Sequence, residues 1–306
     1  MMKTWRWVLT AALALAFVAG ATARAGSDGQ LVLEETHDIS RGGTLRVESG
    51  RGGVVITGES RSDVHIEVRA EDMDVEDVRE LLHLDVREIS HGLQITVDIK
   101  ERRGLFGRSR GHVWVEVSVP RTIDLDIDNN SGGVSVRDID GNVRVDNGSG
   151  GVRLDGIEGD VDIDNNSGGV SIQSLRGDLM VENGSGGIKV TDVQGDVSID
   201  NNSGGVKLTA VDGRLEVDNG SGGIHVKLTG RNQGVEVESN SGGVILGIPR
   251  GWGADLDLRS SSGSITVHGF SHIDLDDVDR FRGSVGGGGP SITVSSGSGQ
   301  VVVNAE

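Results

Sequence analysis

The sequence predicts an all-β protein, a parallel β-solenoid (β-helix) with about 18 residues per coil and one short helix in its N-terminal part. One observation is a turn motif that returns every 18 residues, from DNNSGGV at 128–134 to DNGSGGI at 218–224. Another is that apolar residues occupy fixed positions within each repeat. Composition agrees, since 50 of 306 residues are glycine and regularly placed Val, Ile and Leu lie between them.

The spacing of the apolar residues indicates how the repeats fold. With position 1 defined as the serine of each SGG, from Ser131 to Ser221, positions 4, 6, 9, 13 and 15 of the first five repeats are always Val, Ile or Leu. Positions 4–6 and 13–15 have the period of two that is typical of half-buried strands. Five apolar residues cannot form a core alone, so the repeats are expected to stack as parallel strands about 4.8 Å apart. An array of hairpins is the structural alternative.

Three features of the turn motif lead to expectations about the corners. Position 17 is always Asn and is expected to point inward, where stacked amides can bond from coil to coil. Glycines at positions 2 and 3 are expected to occupy a sharp turn in which a Cβ atom would clash. Position 18 alternates between Asn and Gly. This alternation indicates duplication of a 36-residue pair of coils or, alternatively, a single 36-residue coil.

Position 16 is an acidic column that is expected to point outward. Carboxylates about 4.8 Å apart repel one another by roughly 0.9 kcal/mol per pair in water, so a compensating interaction is expected. An Asx-type turn, in which each carboxylate accepts backbone N–H groups, is the first explanation. Calcium is the second, although the G-G-x-G-x-D calcium-roll pattern is absent. The candidate metal ligands are Asp128, Asp146, Asp164, Glu182, Asp200 and Asp218.

Residues 1–25 have the form of a signal peptide. Lys3 and Arg6 precede an apolar stretch at 8–20, and Ala23-Arg24-Ala25 resembles a cleavage site, so cleavage after Ala25 is expected. The apolar stretch is short for a membrane anchor. The protein is therefore expected to be exported, to the periplasm or to the cell surface and beyond, without a membrane anchor after cleavage.

The charge of the mature chain limits its partners. Residues 1–25 contain three cations and no acid, which leaves 26 Lys and Arg against 47 Asp and Glu, a net charge of −21. Such an acidic body argues against binding to nucleic acid or general adhesion to anionic membranes. The absence of cysteine excludes disulfides.

Residues 26–122 are expected to form N-terminal strands with one helix at 74–83, capped by Asp74. A basic hairpin loop at 100–110 follows, with five cations and one acid. This loop is either a solvated tip or a contact for an anionic lipid, a lipopolysaccharide or an acidic partner. Its candidate partner-binding residues are Arg102, Arg103, Leu105, Phe106, Arg108 and Arg110.

The remaining chain divides into regular repeats at 123–247 and irregular coils at 248–306 that are expected to close the solenoid. The segments VPRTIDLDIDNNSGGVSV (119–136) and IPRGWGADLDLRSSSGSITV (248–267) resemble each other. The last coils, RGSVGGGGPSITVSSGSGQVVV (282–303), contain a loop of four glycines.

These segments carry a resemblance to a known family. A helix followed by alternating strands, an entry of the form [VI]-P-R, SG-x-[VI]-x-V coils and the terminal GGGGPSITVSSGSGQVVV are together similar to the bacterial putative-adhesin family of β-strand-repeat proteins, a domain of unknown function. The resemblance covers about residues 30–303. It implies a β-solenoid and an adhesin-like role, and it supplies no catalytic residues.

The function predicted from the sequence is that of a non-enzymatic, adhesin-like structural or binding protein of the cell envelope, with an unknown envelope or surface component as partner. No catalytic residue and no cofactor other than Ca²⁺ is proposed. A polysaccharide lyase or hydrolase, or a calcium-binding β-roll-like module, is the alternative. Against an enzyme, the coils are near-identical, and the chain after residue 25 has two Trp, three Phe and no Tyr to form a sugar platform.

Overall fold

The computed structural model describes residues 29–99, 112–270 and 273–306. Within these ranges the chain forms 27 strands and one helix. The elements that precede the regular repeats are β1 (Gln30–Asp38), β2 (Thr44–Ser49), β3 (Gly53–Glu59), β4 (Asp63–Glu71), α1 (Val75–Leu81), β5 (Leu82–Ile89), β6 (Gly92–Ile99) and β7 (His112–Pro120).

The regular repeats supply fourteen short strands: β8 (Asp124–Asn129), β9 (Val134–Ile139), β10 (Val143–Asn147), β11 (Val152–Glu158), β12 (Val161–Ser167), β13 (Val170–Arg176), β14 (Leu179–Ser185), β15 (Ile188–Gln194), β16 (Val197–Ser203), β17 (Val206–Asp212), β18 (Leu215–Ser221), β19 (Ile224–Leu228), β20 (Val235–Ser241) and β21 (Val244–Ile248). The C-terminal strands are β22 (Ala254–Ser260), β23 (Ile265–Phe270), β24 (Ile273–Val278), β25 (Arg280–Val285), β26 (Ser291–Ser298) and β27 (Val301–Ala305).

Two long sheets form the solenoid, and each coil gives one strand to each sheet. Sheet A has fourteen strands and sheet B has thirteen. In sheet A, Val152 pairs in parallel with Val134 on one side and Val170 on the other. In sheet B, Val143 pairs in the same way with Val161. Neighbouring strands are thus 18 residues apart, which confirms the 18-residue parallel coil, and the hairpin-array and 36-residue-coil alternatives are wrong.

The core lies between the two sheets, as the apolar pattern predicts. All 25 residues at positions 4, 6, 9, 13 and 15 of the first five repeats are at most 2% exposed. Because each coil contributes the same five side chains, every coil buries its apolar face against its two neighbours.

The asparagines at position 17 form the predicted ladder inside one corner. Each Asn from Asn129 to Asn201 donates from Nδ2 to Oδ1 of the next, over 2.7–2.8 Å. Each also donates to the carbonyl oxygen of the glycine three residues ahead, over 3.0–3.2 Å. The amides are at most 4% exposed. The ladder therefore satisfies polar groups that would otherwise be buried without partners.

The two glycines of SGG have different roles, which corrects one prediction. Gly168, at position 2, has φ +128°, and a Cβ atom there would lie 1.9 Å from the carbonyl oxygen of Gly150 in the preceding coil. Gly169, at position 3, would bring a Cβ atom no nearer than 3.4 Å to the Gly187 oxygen. Only position 2 thus requires glycine because of the turn and the close approach of the next coil.

The glycines at position 18 lie close to the adjacent coil. A Cβ atom at Gly184 would lie 2.4 Å from the carbonyl oxygen of Asn166, and its side-chain oxygen is also close. Packing against the preceding coil therefore requires glycine at Gly184, and duplication of a 36-residue pair of coils stays a prediction.

Coils at both ends do not follow chain order. The coil made by β2 and β3 lies directly against the first regular repeat. The coil made by β6 and β7 lies beyond it, although it is later in the sequence. At the other end, β26 and β27 lie between the coil of β20 and β21 and the coil of β22 and β23. The segment at 291–305 therefore lies between two coils that precede it in the sequence.

Antiparallel strands cover both ends of the solenoid. Strand β4 pairs with β7, β1 with β4, and β5 with β6 at one end; β25 pairs with β22 and β24 with β23 at the other. Because they occupy the sheet edges, these strands limit the addition of further parallel strands there.

Helix α1 confirms the predicted helix over a shorter range, and Asp74 caps it by accepting hydrogen bonds from the Glu76 and Asp77 amides.

Gly168→Ala is expected to lower the free energy of unfolding by about 2–4 kcal/mol, because the new methyl group collides with the backbone of the adjacent coil. Gly169→Ala is the matched control and is expected to cost less than about 1 kcal/mol. Guanidinium unfolding followed by circular dichroism measures both. Equal losses in the two variants would contradict the different roles of positions 2 and 3.

Asn165→Ala is expected to cost about 2–4 kcal/mol, because it leaves the Asn183 Oδ1 and the Gly168 carbonyl without their donor. Asn166→Ala, at the exposed neighbouring position, is expected to change stability by less than about 0.5 kcal/mol. The same unfolding measurement compares the two variants. A near-neutral Asn165→Ala would show that the amide ladder contributes little to folding.

Candidate binding groove

A groove of about 720 Å³ runs along the outer face of sheet B and crosses successive coils. Its floor and walls are formed chiefly by positions 12, 13 and 14 of each coil. Position 13 is buried in the core, so its neighbours at 12 and 14 supply the exposed side chains. The groove therefore presents one pair of exposed positions per coil.

Position 12 forms a second ladder, between side chains and the backbone. The Asp124 Oδ1 accepts the backbone N–H of Asn142, and the same bond recurs at each step to Arg214, over 2.8–2.9 Å. Four aspartates and Asn142 accept these bonds, so a carboxylate and a carboxamide serve equally well. The remaining carboxylate oxygen of each Asp is not used in this ladder.

The position 16 carboxylates do not have the role that the sequence predicted for them. Hydrogen bonds from backbone N–H groups to side-chain oxygens occur at position 12, whereas the exposed position 16 column accepts none of them within the described residues. The physical reason is location: position 12 follows the corner glycine at position 11, where N–H groups of the next coil point toward it. The Asx-type explanation for position 16 is therefore wrong.

The column at position 16 does not gather metal ligands at one point. Its six candidate residues are in register along sheet B, one per coil, from Asp128 to Asp218. Over the ranges that the structure describes, only Glu34, His65 and Glu67 bring three metal-ligating atoms within 4.8 Å of one another. Calcium binding by the column stays a hypothesis.

The groove is acidic. Seven acidic side chains and two arginines line it, a formal charge of −5. Two ion pairs reduce this charge locally, Arg46 with Asp126 at 2.6 Å and Arg144 with Asp162 at 2.5 Å. Asp160, Asp178 and Asp196 are exposed and form no ion pair among the described residues. The middle of the groove is therefore its most negative part.

One exposed apolar side chain lies in this acidic stretch. Met180, at position 14, is 50% exposed and lines the groove beside Asp178. A flexible thioether can adapt to different partner surfaces. The groove thus combines negative charge with a small adaptable apolar contact, a combination that the repeat pattern did not indicate.

Two predicted regions lie outside the described residues. They are the signal peptide at 1–25 and the basic loop at 100–110 with its six candidate residues. In the part of the chain that is described, no helix has the length and apolar character needed to cross a membrane.

Residues 43–304 match the family model of Toastrack DUF4097. The chain belongs to this family. The match covers most of the chain and confirms the resemblance inferred from the sequence. No curated protein matches the chain.

Solved structures similar to this Toastrack chain include two proteins described as putative adhesins. One, from Bacteroides fragilis, is 15% identical over 90% of this chain and 97% of its own, with a TM-score of 0.31. The other, from Parabacteroides distasonis, is 8% identical over 90% and 98%, with a TM-score of 0.36. A putative cell adhesion protein from Clostridium sporogenes is 11% identical over 90% and 100%, with a TM-score of 0.24.

Proposed function

We propose that this chain is an exported, non-enzymatic, adhesin-like binding protein of the cell envelope, acting in the periplasm or at the cell surface, and that the groove on sheet B holds an extended partner. The observation that supports this function most is the repetition of the same exposed pair of positions along the groove. A repeated surface suits a partner that is itself extended.

The spacing of the coils favours many weak contacts. Six coils at about 4.8 Å per step span roughly 24 Å between the first and the last. Each exposed carboxylate contributes little by itself in water, but linked contacts along one partner add in avidity. Binding strength is then set by the number of coils engaged.

The charge of the groove indicates the chemistry of the partner. Carboxylates accept hydrogen bonds and attract cations, so the partner is expected to carry ammonium or guanidinium groups, with hydroxyl or amide donors between them. An extended basic peptide segment or an amine-bearing polymer has this chemistry. Met180 would contact an apolar part of the same partner.

A polysaccharide lyase or hydrolase is the alternative function. Such an enzyme needs two carboxylates in different environments, one acting as acid and the other as base or nucleophile. Along the groove, Asp160, Asp178 and Asp196 instead share one environment, because each Oδ1 accepts the same backbone bond. This equivalence favours binding over catalysis.

The triple change Asp160→Asn, Asp178→Asn and Asp196→Asn is expected to weaken binding to labelled oligolysine at least about tenfold, because it removes three groove charges. Asn142 shows that a carboxamide keeps the backbone bond, so the fold is expected to survive. The matched control is Asp146→Asn, Asp164→Asn and Asp200→Asn, which removes equal charge from position 16 of the same sheet.

Fluorescence anisotropy at physiological salt measures both triple variants. The groove proposal expects the control to keep most of the binding. Equal losses in the two variants would show that only net charge matters. Cleavage of a polysaccharide that either triple change abolishes would favour the enzyme instead.

The basic loop at 100–110 is proposed as a separate contact for anionic lipid or lipopolysaccharide, on its sequence alone. Changing Arg102, Arg103, Arg108 and Arg110 to Ser is expected to reduce co-sedimentation with phosphatidylglycerol vesicles and to leave the melting temperature nearly unchanged. Charge acts only within about 8–10 Å at physiological salt, so the acidic body does not cancel the loop. Unchanged sedimentation would leave the loop as a solvated tip.

A further inference from the structure

The outer face of sheet A carries a compact group of metal-ligating side chains near the N-terminal end of the solenoid. Glu34 on β1 lies directly opposite Glu67 on β4, and Thr36 lies opposite His65. His65 and Glu67 are two residues apart on one strand, so they share a face. We propose that Glu34, His65 and Glu67 bind a divalent transition metal ion of the zinc type and thereby fasten β1 to β4.

The distances fit metal ligands better than they fit hydrogen bonds. The His65 Nε2 lies 3.4 Å from Glu34 Oε1 and also 3.4 Å from Glu67 Oε1. Charge-assisted hydrogen bonds are shorter, about 2.7–2.9 Å. Ligands around a tetrahedral zinc ion, each bound at about 2.0–2.1 Å, are separated from one another by about 3.3–3.4 Å. All three ligand atoms lie within 4.8 Å of one another, a spacing that one ion between them can span.

Neighbouring side chains already orient two of the ligands. The Thr36 Oγ1 lies 3.1 Å from His65 Nδ1. An Nδ1–H that donates to this oxygen leaves the Nε2 lone pair directed toward the two carboxylates, as a metal-bound imidazole requires. Arg69 donates to Glu67 Oε2 from Nη2 at 2.8 Å and Nε at 3.1 Å, which leaves Oε1 for the ion.

The charges around the group also favour a cation. Like charges directly opposite each other on antiparallel strands are destabilising, and Glu34 and Glu67 form such a pair. Arg69 also lies 3.4 Å from Glu116, so its charge is shared between two carboxylates.

The donor set indicates which ions fit. One imidazole nitrogen with two carboxylate oxygens suits Zn²⁺ and its first-row neighbours, whereas Ca²⁺ and Mg²⁺ prefer oxygen ligands alone. Side-chain exposures of 18% for His65 and 17% for Glu67 make the site partly protected.

The site has a structural consequence. Strand β1 is an edge strand of sheet A, and of the described strands only β4 pairs with it. Helix α1 packs on it, with Arg79 donating to the Val32 carbonyl oxygen. An ion bound by Glu34 on β1 and by two residues of β4 would hold this edge strand against β4.

The test is calorimetric titration of Zn²⁺ into the purified, metal-free protein, with Co²⁺ absorption as a second probe of coordination. Wild-type protein is expected to bind one ion. His65→Ala and Glu34→Gln are each expected to weaken zinc binding at least about tenfold, and Thr36→Val is expected to weaken it about tenfold by releasing the imidazole. Glu34 is 53% exposed, so Glu34→Gln tests the site even if the His65 change disturbs the sheet.

His37→Ala is the matched control. His37 lies on the opposite face of β1, with its Nε2 3.0 Å from Glu35 Oε2, in a pair with no third ligand among the described residues. It is expected to bind zinc as wild-type protein does. The proposal is overturned if wild-type protein binds no zinc. It is equally overturned if His65→Ala and Glu34→Gln bind zinc as tightly as wild type.

Discussion

The structure depends on one constraint, the stacking of equivalent residues at the spacing of parallel strands. Every residue in a regular coil lies about 4.8 Å from its equivalent in the next coil, so each side chain contacts the equivalent side chain of that coil. Val, Ile and Leu gain a continuous core from this repetition. Asn165 bonds to its equivalents on both sides, accepting from Asn147 and donating to Asn183, because an amide is both donor and acceptor. An ionised carboxylate is an acceptor only, so it cannot bond to its equivalent in the next coil, and its repetition costs energy.

The two acidic columns of sheet B show two outcomes of that cost. At position 12, each carboxylate accepts an N–H group of the next coil, so the charge is attached to the backbone ladder. At position 16 the carboxylates remain exposed to water, where repulsion is weakest. The column that is fixed in place is the one that lines the groove, and fixed acceptors lose less conformational freedom when a partner binds.

The ends of the solenoid have a requirement that its middle lacks, the protection of unpaired sheet edges. A stack of parallel strands exposes unpaired edges, and natural sheets protect such edges. Here the chain returns at both ends to pair antiparallel strands against the last coils. Because these strands escape the 18-residue repetition, residues of different kinds can meet there. Glu34, Thr36, His65 and Glu67 form their group in such a region, where β1 pairs with β4.

The sequence alone determined the 18-residue parallel coil, the 25 buried apolar residues and the inward Asn ladder, because each of these is repeated once per coil at a fixed position. It also indicated the family, through the order of the helix, the [VI]-P-R entry, the coils and the terminal glycine-rich segment. It also contains the acceptors of position 12. Their hydrogen bonds depend on the direction of N–H groups in the adjacent coil, which the sequence does not show. Acceptance of backbone N–H groups was therefore predicted for position 16 instead. Only the tertiary structure decided the order of the terminal coils and the meeting of Glu34 with His65. Those contacts depend on which sheet edges remain free after stacking, and the 18-residue repeat of the sequence does not indicate which edges these are.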